Sequence, residues 1–340
     1  MKAHQADFSQ MLKLLRREPT DRPVLFELYL NMPLYEQVNG RKLPSDDVLT
    51  STRFKIEAYQ RMGYDYATVY GSGFSFTPEA HRKETQSLNE NAGLVDEESF
   101  EKFKWPEPDD FDGSFLEKVK PDLPDGMKLM VMGPGGILEC VIALTGYDNL
   151  CLMLYDDPEL VGRLFDEVGK RLVRYYELAL QYDTVGLISS NDDWGFNTQT
   201  LLSPDLLRKY VIPWHRKIVK LCHDAGRPVL LHSCGNLKNV MDDIIDAGFD
   251  AKHSFEDKIQ PIEEAYEVYG QRITLLGGID MDFICRRSEK EVYDRTLAML
   301  RQVGDRGGWA VGTGNSVPEY LPPKNLFAMH QAAFDFAKGK

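Results

Sequence analysis

Short apolar and β-branched runs recur along the chain, and most of them are separated by enough sequence for a helix. Eight of these runs are four to seven residues long, which is typical of buried strands. They are Val24–Leu30, Tyr66–Tyr70, Lys128–Met132, Val185–Ser189, Pro228–Leu231, Asp250–His253, Arg272–Leu276 and Trp309–Gly312. Strands that alternate with helices in this order predict a parallel sheet with helices packed against it.

Between the predicted strands, apolar residues recur at every third or fourth position, as they do on the buried face of a helix. The clearest case begins at Asp157-Pro158, which suit a cap and a first turn, and continues to Tyr176. A second helix is predicted from Ser203 to Gly226, and Pro213 is expected to bend it. We also expect a helix near the N-terminus.

This order of elements predicts an α/β fold, a single (β/α)8 TIM barrel that spans residues 1–340 as one domain. The alternative is a doubly wound open sheet, which usually carries a Gly-rich phosphate-binding turn. Neither Gly71-Ser72-Gly73 nor Gly312-Thr313-Gly314 has the third glycine of G-x-G-x-x-G. The polar region from about residue 74 to 124 is predicted to be a helical and loop excursion between the second and third strands that covers a pocket.

Composition and charge exclude several classes of protein. Hydrophobic residues make up 43% of the chain and charged residues 27%, as in soluble globular domains. A net charge of −13 disfavours binding to nucleic acid or to anionic membranes. The apolar stretch at residues 129–146 is broken by glycines and by Glu139, so membrane insertion is not expected. Five scattered cysteines and the lack of an apolar leader predict a cytoplasmic protein without a disulfide framework.

Polar side chains collect at or just after the ends of the predicted strands, which meet at one mouth in a barrel. Asp192 and Asp193 follow one strand, where paired carboxylates bind a cation, divide acid and base roles, or cap a helix. His253 and Glu256 offer a further ligand or a proton acceptor; the alternative there is a capping Ser254 beside solvated acids. We predict catalytic roles for Asp192, Asp193, His253 and Glu256, and substrate contacts for Tyr70, Asn191, Asn315 and Ser316.

The most specific element is His232-Ser233-Cys234, directly after a predicted strand. In an extended segment the first and third side chains point to the same side, so one ion can contact both. An imidazole and a thiolate suit zinc, which at catalytic sites usually takes three protein ligands and leaves one position open. The alternative is a buried structural cysteine beside a hydrogen-bonded core histidine.

Several motifs in the second half of the chain belong together. They are the acidic run Asn191-Asp192-Asp193, Ser203-Pro204-Asp205, the Pro228–Gly235 segment, the Leu275–Asp280 strand and turn, and Gly312-Thr313-Gly314 before Pro322-Pro323-Lys324-Asn325. Over most of residues 185–336 they resemble the uroporphyrinogen decarboxylase superfamily, which includes cobalamin-dependent methyltransferases. The resemblance implies a TIM-type barrel.

The resemblance is closer to the methyltransferase branch than to the true uroporphyrinogen decarboxylase. The decarboxylase branch is known for an arginine-rich segment after the first strand and for a histidine between the glycines after the last strand. Here the first strand leads into Glu27-Leu28-Tyr29-Leu30-Asn31, and Thr313 stands between the glycines. A mouth lined with acids also suits a substrate with several carboxylates poorly.

The methyltransferase branch holds zinc with an H-x-C motif and a later cysteine. His232 and Cys234 match two of these ligands, and Thr313 stands at the position of the third. We predict that Glu27 supplies the third ligand, with Asp193 and Glu256 as alternatives, unless the metal has been lost.

The resemblance therefore predicts a zinc-dependent methyltransferase that acts with a corrinoid protein. It would move a methyl group between a small methylated substrate or thiol and the cobalt of methylcobalamin, with the cobalt chemistry on the partner. Two alternatives stay open: a metal-free lyase like the decarboxylase, and a homologue that binds a ligand without catalysis.

Overall fold

Seven parallel strands form one curled sheet in which the spatial order is the sequence order. The structure is a computed structural model that describes residues 5–76, 88–89 and 93–339. The strands are β1 (Tyr66–Tyr70), β2 (Lys128–Met132), β3 (Val185–Asn191), β4 (Val229–His232), β5 (Ala251–His253), β6 (Thr274–Leu276) and β7 (Trp309–Ala310). All neighbouring pairs are parallel, so the carboxyl ends of the strands lie at one edge of the sheet.

Helices fill the connections between the strands, as the alternating pattern predicts. Those before β2 are α1 (Phe8–Leu15), α2 (Met32–Asn39), α3 (Val48–Met62), α4 (Glu97–Lys102) and α5 (Phe115–Lys118). Between β2 and β4 lie α6 (Ile137–Thr145), α7 (Tyr147–Asp156), α8 (Pro158–Ala179), α9 (Pro204–Leu206) and α10 (Ile212–Asp224). The rest are α11 (Met241–Asp246), α12 (Ile262–Tyr269), α13 (Met281–Arg286), α14 (Glu289–Val303) and α15 (Pro323–Lys338).

The first predicted strand, Val24–Leu30, is the one that differs from expectation. It forms a single parallel bridge, from Leu25 to Val311. On its other side the Tyr66 hydroxyl accepts from Glu27 N at 2.8 Å and donates to Glu27 O at 2.7 Å. Because a side chain occupies the backbone groups that pairing with β1 would use, this segment is not a regular strand. The sheet therefore has seven regular strands among the described residues instead of the predicted eight.

The two helices that the sequence predicts most clearly both begin at the expected cap. Asp157 Oδ1 accepts from Leu160 N at 3.0 Å at the start of α8, and Ser203 Oγ accepts from Leu206 N at 3.3 Å at the start of α9. The second helix is interrupted, because a π-helical segment at Leu207–Val211 separates α9 from α10. Pro213 has no N–H for the carbonyl four residues earlier, so the regular bonding pattern fails there.

The predicted excursion contains the short helices α4 and α5, whereas its residues 77–87 and 90–92 lie outside the described residues. Its described part is attached to α8. Arg163 forms an ion pair with Glu97 at 2.7 Å, and the buried Arg171 donates to Pro106 O at 2.9 Å. Its role as the cover of a pocket stays a prediction.

The strands are buried on both faces because helices cover one face and the curled interior fills the other. Leu129, Val131, Ile188, Leu230 and Leu231 are all completely buried. Within residues 5–76, 88–89 and 93–339, no single helix is long and apolar enough to cross a membrane. The pair α6 and α7 passes that test only when taken together, and the two helices meet at a bend of 94°.

Candidate metal centre and active site

The extended chain at the end of β3 sends neighbouring side chains in opposite directions. Pairing continues past the strand, because Asp192 N donates to His232 O at 2.9 Å. Ser190 and Asp192 both point toward α10, where each contacts His215. Asp193 points the other way, toward the end of β4. The two predicted catalytic acids therefore lie in different surroundings: the Asp192 side chain is completely buried, and that of Asp193 is 40% exposed.

The Asp192 carboxylate is surrounded by hydrogen-bond donors. Two backbone N–H groups in the first turn of α6 donate to its Oδ1 at 3.0 Å. Trp194 Nε1 donates to Oδ2 at 2.8 Å, and His215 Nε2 lies 2.9 Å from the same oxygen. A Cβ at Gly136 would lie only 2.1 Å from Oδ1, so the turn before α6 needs a glycine there. Asp192 thus joins β3, α6 and α10, and its charge lies at a helix N-terminus.

Three possible metal ligands meet at the carboxyl ends of β3 and β4. The ligand atoms of Asp193, His232 and Cys234 all lie within 4.8 Å of one another. His232 Nε2 is 3.6 Å from Cys234 Sγ and 3.8 Å from Asp193 Oδ1. Cys234 N also donates to Asp193 Oδ1 at 2.7 Å, which orients the carboxylate. One nitrogen, one sulfur and one oxygen in this arrangement form a donor set that suits zinc.

A glycine shapes the turn that carries this cluster. Gly235 follows Cys234 and has a φ of +91°, a left-handed conformation that side chains rarely adopt. A Cβ at Gly235 would also lie 2.2 Å from the backbone of Gly195. The sequence Cys234-Gly235 therefore lets the chain turn sharply beside Asp193.

His253, at the end of β5, lies behind His232. The two Nδ1 atoms are 2.8 Å apart, and His253 Nε2 is 3.1 Å from Thr313 O. Burial lowers the pKa of His232 to about 3 and that of His253 well below its usual value. Both rings are therefore neutral at pH 7, which is the state in which histidine binds metals. His253, predicted to be catalytic, contacts the cluster through His232.

The Cys234 thiol has polar neighbours of its own. Asn315 Nδ2 donates to Sγ at 3.3 Å, and Ser254 Oγ lies 3.9 Å away. Burial raises the pKa of the thiol, and the nearby Asp193 raises it further. The sulfur is therefore protonated in the metal-free protein, and a bound metal must displace that proton. Asn315, predicted to contact the substrate, lies directly against the thiol.

Acidic groups surround the cluster. Burial raises the pKa of Asp193, and burial together with Asp280 raises that of Glu256. Burial and the charges of Asp193 and Asp192 raise the pKa of Glu139 to about 8. Glu139 is therefore mostly a neutral acid at pH 7, able to donate a proton. Glu256 borders a small cavity together with Gly235 and Ser254.

Glu27, the predicted third metal ligand, is held apart from the cluster of Asp193, His232 and Cys234. It is completely buried, and its Oε1 accepts from Thr313 N at 2.9 Å. The Thr313 hydroxyl lies 2.5 Å from Glu27 Oε2 and 2.5 Å from Asn315 O. Burial raises the pKa of Glu27 to about 8. A protonated Glu27 donates to the Thr313 hydroxyl, whose own proton is then free for Asn315 O, so every group is paired.

The remaining predicted substrate contacts also lie at the ends of strands. The Tyr70 side chain is 43% exposed at the end of β1. Asn191 Oδ1, at the end of β3, is buried and has no hydrogen-bond partner among the described residues. Ser316 N donates to Asn315 Oδ1 at 2.7 Å. An unpaired buried acceptor is costly, which makes Asn191 the clearest candidate for a ligand contact in this group.

Most of the chain matches one known protein family. Residues 89–336 match the model of the family described as uroporphyrinogen decarboxylase (URO-D). The chain belongs to this family. The matched range includes Asp193, His232, Cys234, His253 and Asn315, but neither Glu27 nor Tyr70.

Among similar proteins, a methylated-thiol–coenzyme M methyltransferase from Methanosarcina mazei is 26% identical over 52% of this chain and 46% of its own length. A methylcobamide:CoM methyltransferase from Methanosarcina barkeri is 31% identical over 40% of this chain and 38% of its own length. The chain thus matches about half or less of the length of these relatives. A methyltransferase structure from Methanosarcina mazei has a TM-score of 0.70 at 16% identity and covers 96% of this chain and 98% of its own. That likeness shows that the two chains share a fold, which together with the family match is a parallel, TIM-barrel-like fold.

Several residues near the strand ends of this chain were not predicted from the sequence. Glu139 follows the glycine turn after β2. The signal that could have identified it is a polar residue just after the end of a predicted strand. Lys252 is almost completely buried in β5, and its ammonium group donates to Ser254 O. A lysine within a predicted strand was the available signal there. His215 carries no motif, because only the packing of α10 against β3 brings it to Asp192, whereas Trp194 lies two residues after Asp192 in the same segment.

Proposed function

We propose that this member of the uroporphyrinogen decarboxylase family is a zinc-dependent methyltransferase that acts with a corrinoid protein. It transfers a methyl group between a small methylated substrate or a thiol and cobalt. The observation that carries the proposal is the cluster of Asp193, His232 and Cys234, with ligand atoms within 4.8 Å of one another. The names of the two Methanosarcina relatives support the reaction class.

In this proposal Asp193 is the third protein ligand, in place of Glu27. His232 and Cys234 supply a nitrogen and a sulfur, and three protein ligands leave one position for a substrate. Bound zinc supplies Lewis-acid chemistry, which lowers the pKa of a thiol or polarises the atom that carries a methyl group. Thr313 stands where the methyltransferase branch has its third zinc ligand, a cysteine. Here Thr313 forms hydrogen bonds with Glu27 instead.

The chain's own side chains divide the remaining tasks. Asn315 donates to the Cys234 sulfur and stabilises its negative charge. Glu139, mostly protonated at pH 7, gives a proton to a departing group. Asn191 offers its unpaired Oδ1 to the substrate. Tyr70, Ser316 and Glu256 contact the substrate at the rim of the mouth.

Two structural statements belong to this proposal. We take the chain as a single domain, and we take the Val24–Leu30 segment as the element that closes the sheet into a barrel, through its bridge from Leu25 to Val311. A closed barrel brings Glu27 and Tyr70 to the same mouth as the cluster.

The first experiment is elemental mass spectrometry of protein purified without chelator, for the wild type and Cys234→Ala in parallel. We expect near-stoichiometric zinc in the wild type and almost none in the variant. Methyl transfer is then assayed with methylated thiols and a corrinoid protein, following the cobalt absorbance. Zinc-free wild-type protein, or His232→Ala that keeps both its zinc and its methyl transfer, would contradict the proposal.

A metal-free decarboxylase-like lyase is the competing proposal, since the family takes its name from a decarboxylase. Burial raises the pKa values of Glu139, Asp193 and Glu256, and neighbouring carboxylates raise each of them further, so added negative charge is unfavourable at this mouth. A substrate with several carboxylates would add to that repulsion. Absorbance titration with a porphyrinogen-type ligand tests this alternative, and we expect no binding.

A further inference from the structure

We infer that His253 is a positioning residue that holds His232 in the tautomer whose Nε2 lone pair faces Cys234 and Asp193. The inference rests on the proposed function, because it concerns how the chain prepares a metal ligand. The Thr313 carbonyl is the fixed end of this hydrogen-bonded relay, which we call the His253 relay: Thr313 O, His253 and His232.

The direction of each hydrogen bond follows from the fixed end. A carbonyl oxygen can only accept, so the 3.1 Å contact with Thr313 O places a proton on His253 Nε2. Thr313 O is itself held in place, because Gly278 N donates to it at 3.0 Å. With its proton on Nε2, the neutral His253 ring presents a lone pair at Nδ1.

That lone pair determines the tautomer of His232. Because His253 Nδ1 is an acceptor, the 2.8 Å contact between the two Nδ1 atoms requires the proton to be on His232 Nδ1. His232 Nε2 is then bare, 3.6 Å from Cys234 Sγ and 3.8 Å from Asp193 Oδ1. This is the nitrogen that a metal held by the three side chains would bind. A ligand histidine usually gives its other N–H to a carboxylate, a carbonyl or water, and here a second histidine accepts it.

Packing fixes the relay in one arrangement. His232 is 7% exposed and His253 is completely buried, so water does not compete for either inner nitrogen. Phe26 packs edge-on against the His253 ring, with ring centroids 5.2 Å apart. The bond from His253 to the rigid backbone of Thr313 prevents the ring from flipping without the loss of both hydrogen bonds.

The test uses the metal-free wild type first and then three variants of His253. Two-bond proton–nitrogen correlation spectra of 15N-labelled protein report which ring nitrogen carries the proton, and His232→Gln assigns the signal. We expect the His232 signal of a bare Nε2. A protonated Nε2 overturns the inference without any variant having to fold.

Cobalt(II) and zinc affinities of His253→Phe, His253→Asn and His253→Gln then separate hydrogen bonding from packing. Phe keeps the ring and its contact with Phe26 but removes both hydrogen bonds, so affinity should fall about 10- to 100-fold. Asn places an acceptor near the position of Nδ1 and should retain most of the affinity. Gln keeps only the donor to Thr313 O and should lose as much as Phe does.

The outcomes distinguish this inference from the proposed function. Wild-type protein that binds neither metal while His232 still has a bare Nε2 contradicts the proposed function alone. Wild-type protein that binds zinc, together with a His253→Phe variant of equal affinity and unchanged His232 tautomer, overturns the His253 relay. Equal losses in Asn, Gln and Phe would show a packing effect and would also overturn it.

Discussion

Asp192 and Asp193 are adjacent carboxylates with opposite surroundings. The contrast distinguishes a residue that supports the fold from a candidate metal ligand. Asp192 points toward α6 and α10, is completely buried, and is surrounded by donors from Trp194, His215 and the first turn of α6. Asp193 is 40% exposed and points to the end of β4, beside His232. One residue along an extended chain reverses the direction of the side chain. A paired-acid motif after a strand therefore supplies one structural anchor and one candidate ligand.

The largest effect expected from this contrast is on folding. Asp192→Ala leaves His215, Trp194 Nε1 and two backbone N–H groups without their buried acceptor. We expect it to lower the free energy of unfolding by about 3–5 kcal/mol, as when one partner of a buried pair is removed. Asp193→Ala, the matched control, should cost less than about 1 kcal/mol because its carboxylate is partly exposed. Urea unfolding at pH 7 measures both, and similar losses in the two variants would refute the contrast.

The second effect reverses the order of the two residues. Asp193→Ala should lower zinc affinity by more than about 100-fold, beyond the loss typical of a residue outside the ligand set. Glu27→Gln and Glu256→Ala, at the other two candidate ligands, should change affinity little. Competition with a chromophoric chelator measures all three. A larger loss in Glu27→Gln than in Asp193→Ala would return the third ligand to Glu27.

The third prediction concerns Glu27. Like Asp192 it is a completely buried acid, and its hydrogen-bond partner is Thr313. Burial raises the pKa of Glu27 from 4.5 to about 8. The folded state therefore holds a proton that the unfolded chain has released, and stability contributed by Glu27 is full below about pH 4.5 and declines as the pH rises to about 8.

Glu27→Gln keeps the hydrogen bonds to Thr313 and removes this titration. The free energy of unfolding of the variant, relative to wild type, should rise by up to about 1.4 kcal/mol per pH unit within that window. Urea unfolding at pH 5, 6.5 and 8 measures the difference. A difference that does not change with pH would show that Glu27 titrates normally.

The smallest effect concerns the Cys234 sulfur. Asn315→Leu removes the donor to Sγ, so the thiolate should form less readily and alkylation of the metal-free protein at pH 8 should slow by about two- to tenfold. Mass spectrometry of iodoacetamide-labelled peptides measures the rate. Cys151, which is exposed in α7, provides the reference in the same sample. Unchanged alkylation at Cys234 would show that the Asn315 contact does not stabilise the thiolate.

Strand positions were readable from the chain because buried parallel strands form continuous apolar runs. Seven of the eight predicted strands are present, and the helices at Asp157 and Ser203 begin at their predicted caps. The Val24–Leu30 segment could not be judged in the same way. Its apolar pattern is that of a strand, but the distant Tyr66 hydroxyl takes the backbone groups of Glu27.

The same limit applies to the site. His232 and Cys234 were readable because an alternating motif in an extended segment places both on one side. The choice among Glu27, Asp193 and Glu256 depends on how far apart three strand ends lie, and sequence spacing does not encode that distance. The structure brings Asp193 to the pair and pairs Glu27 with Thr313.

By itself, the sequence determined the alternation of strands and helices, the edge where polar residues collect, and the His232–Cys234 pair, because these depend on local periodicity. Only the tertiary structure decided that Asp192 anchors α6 and α10, that Asp193 joins the pair, and that His253 lies against His232. Those outcomes depend on the directions in which separate strands present their side chains. Such directions become definite only when the sheet curls and the helices pack against it.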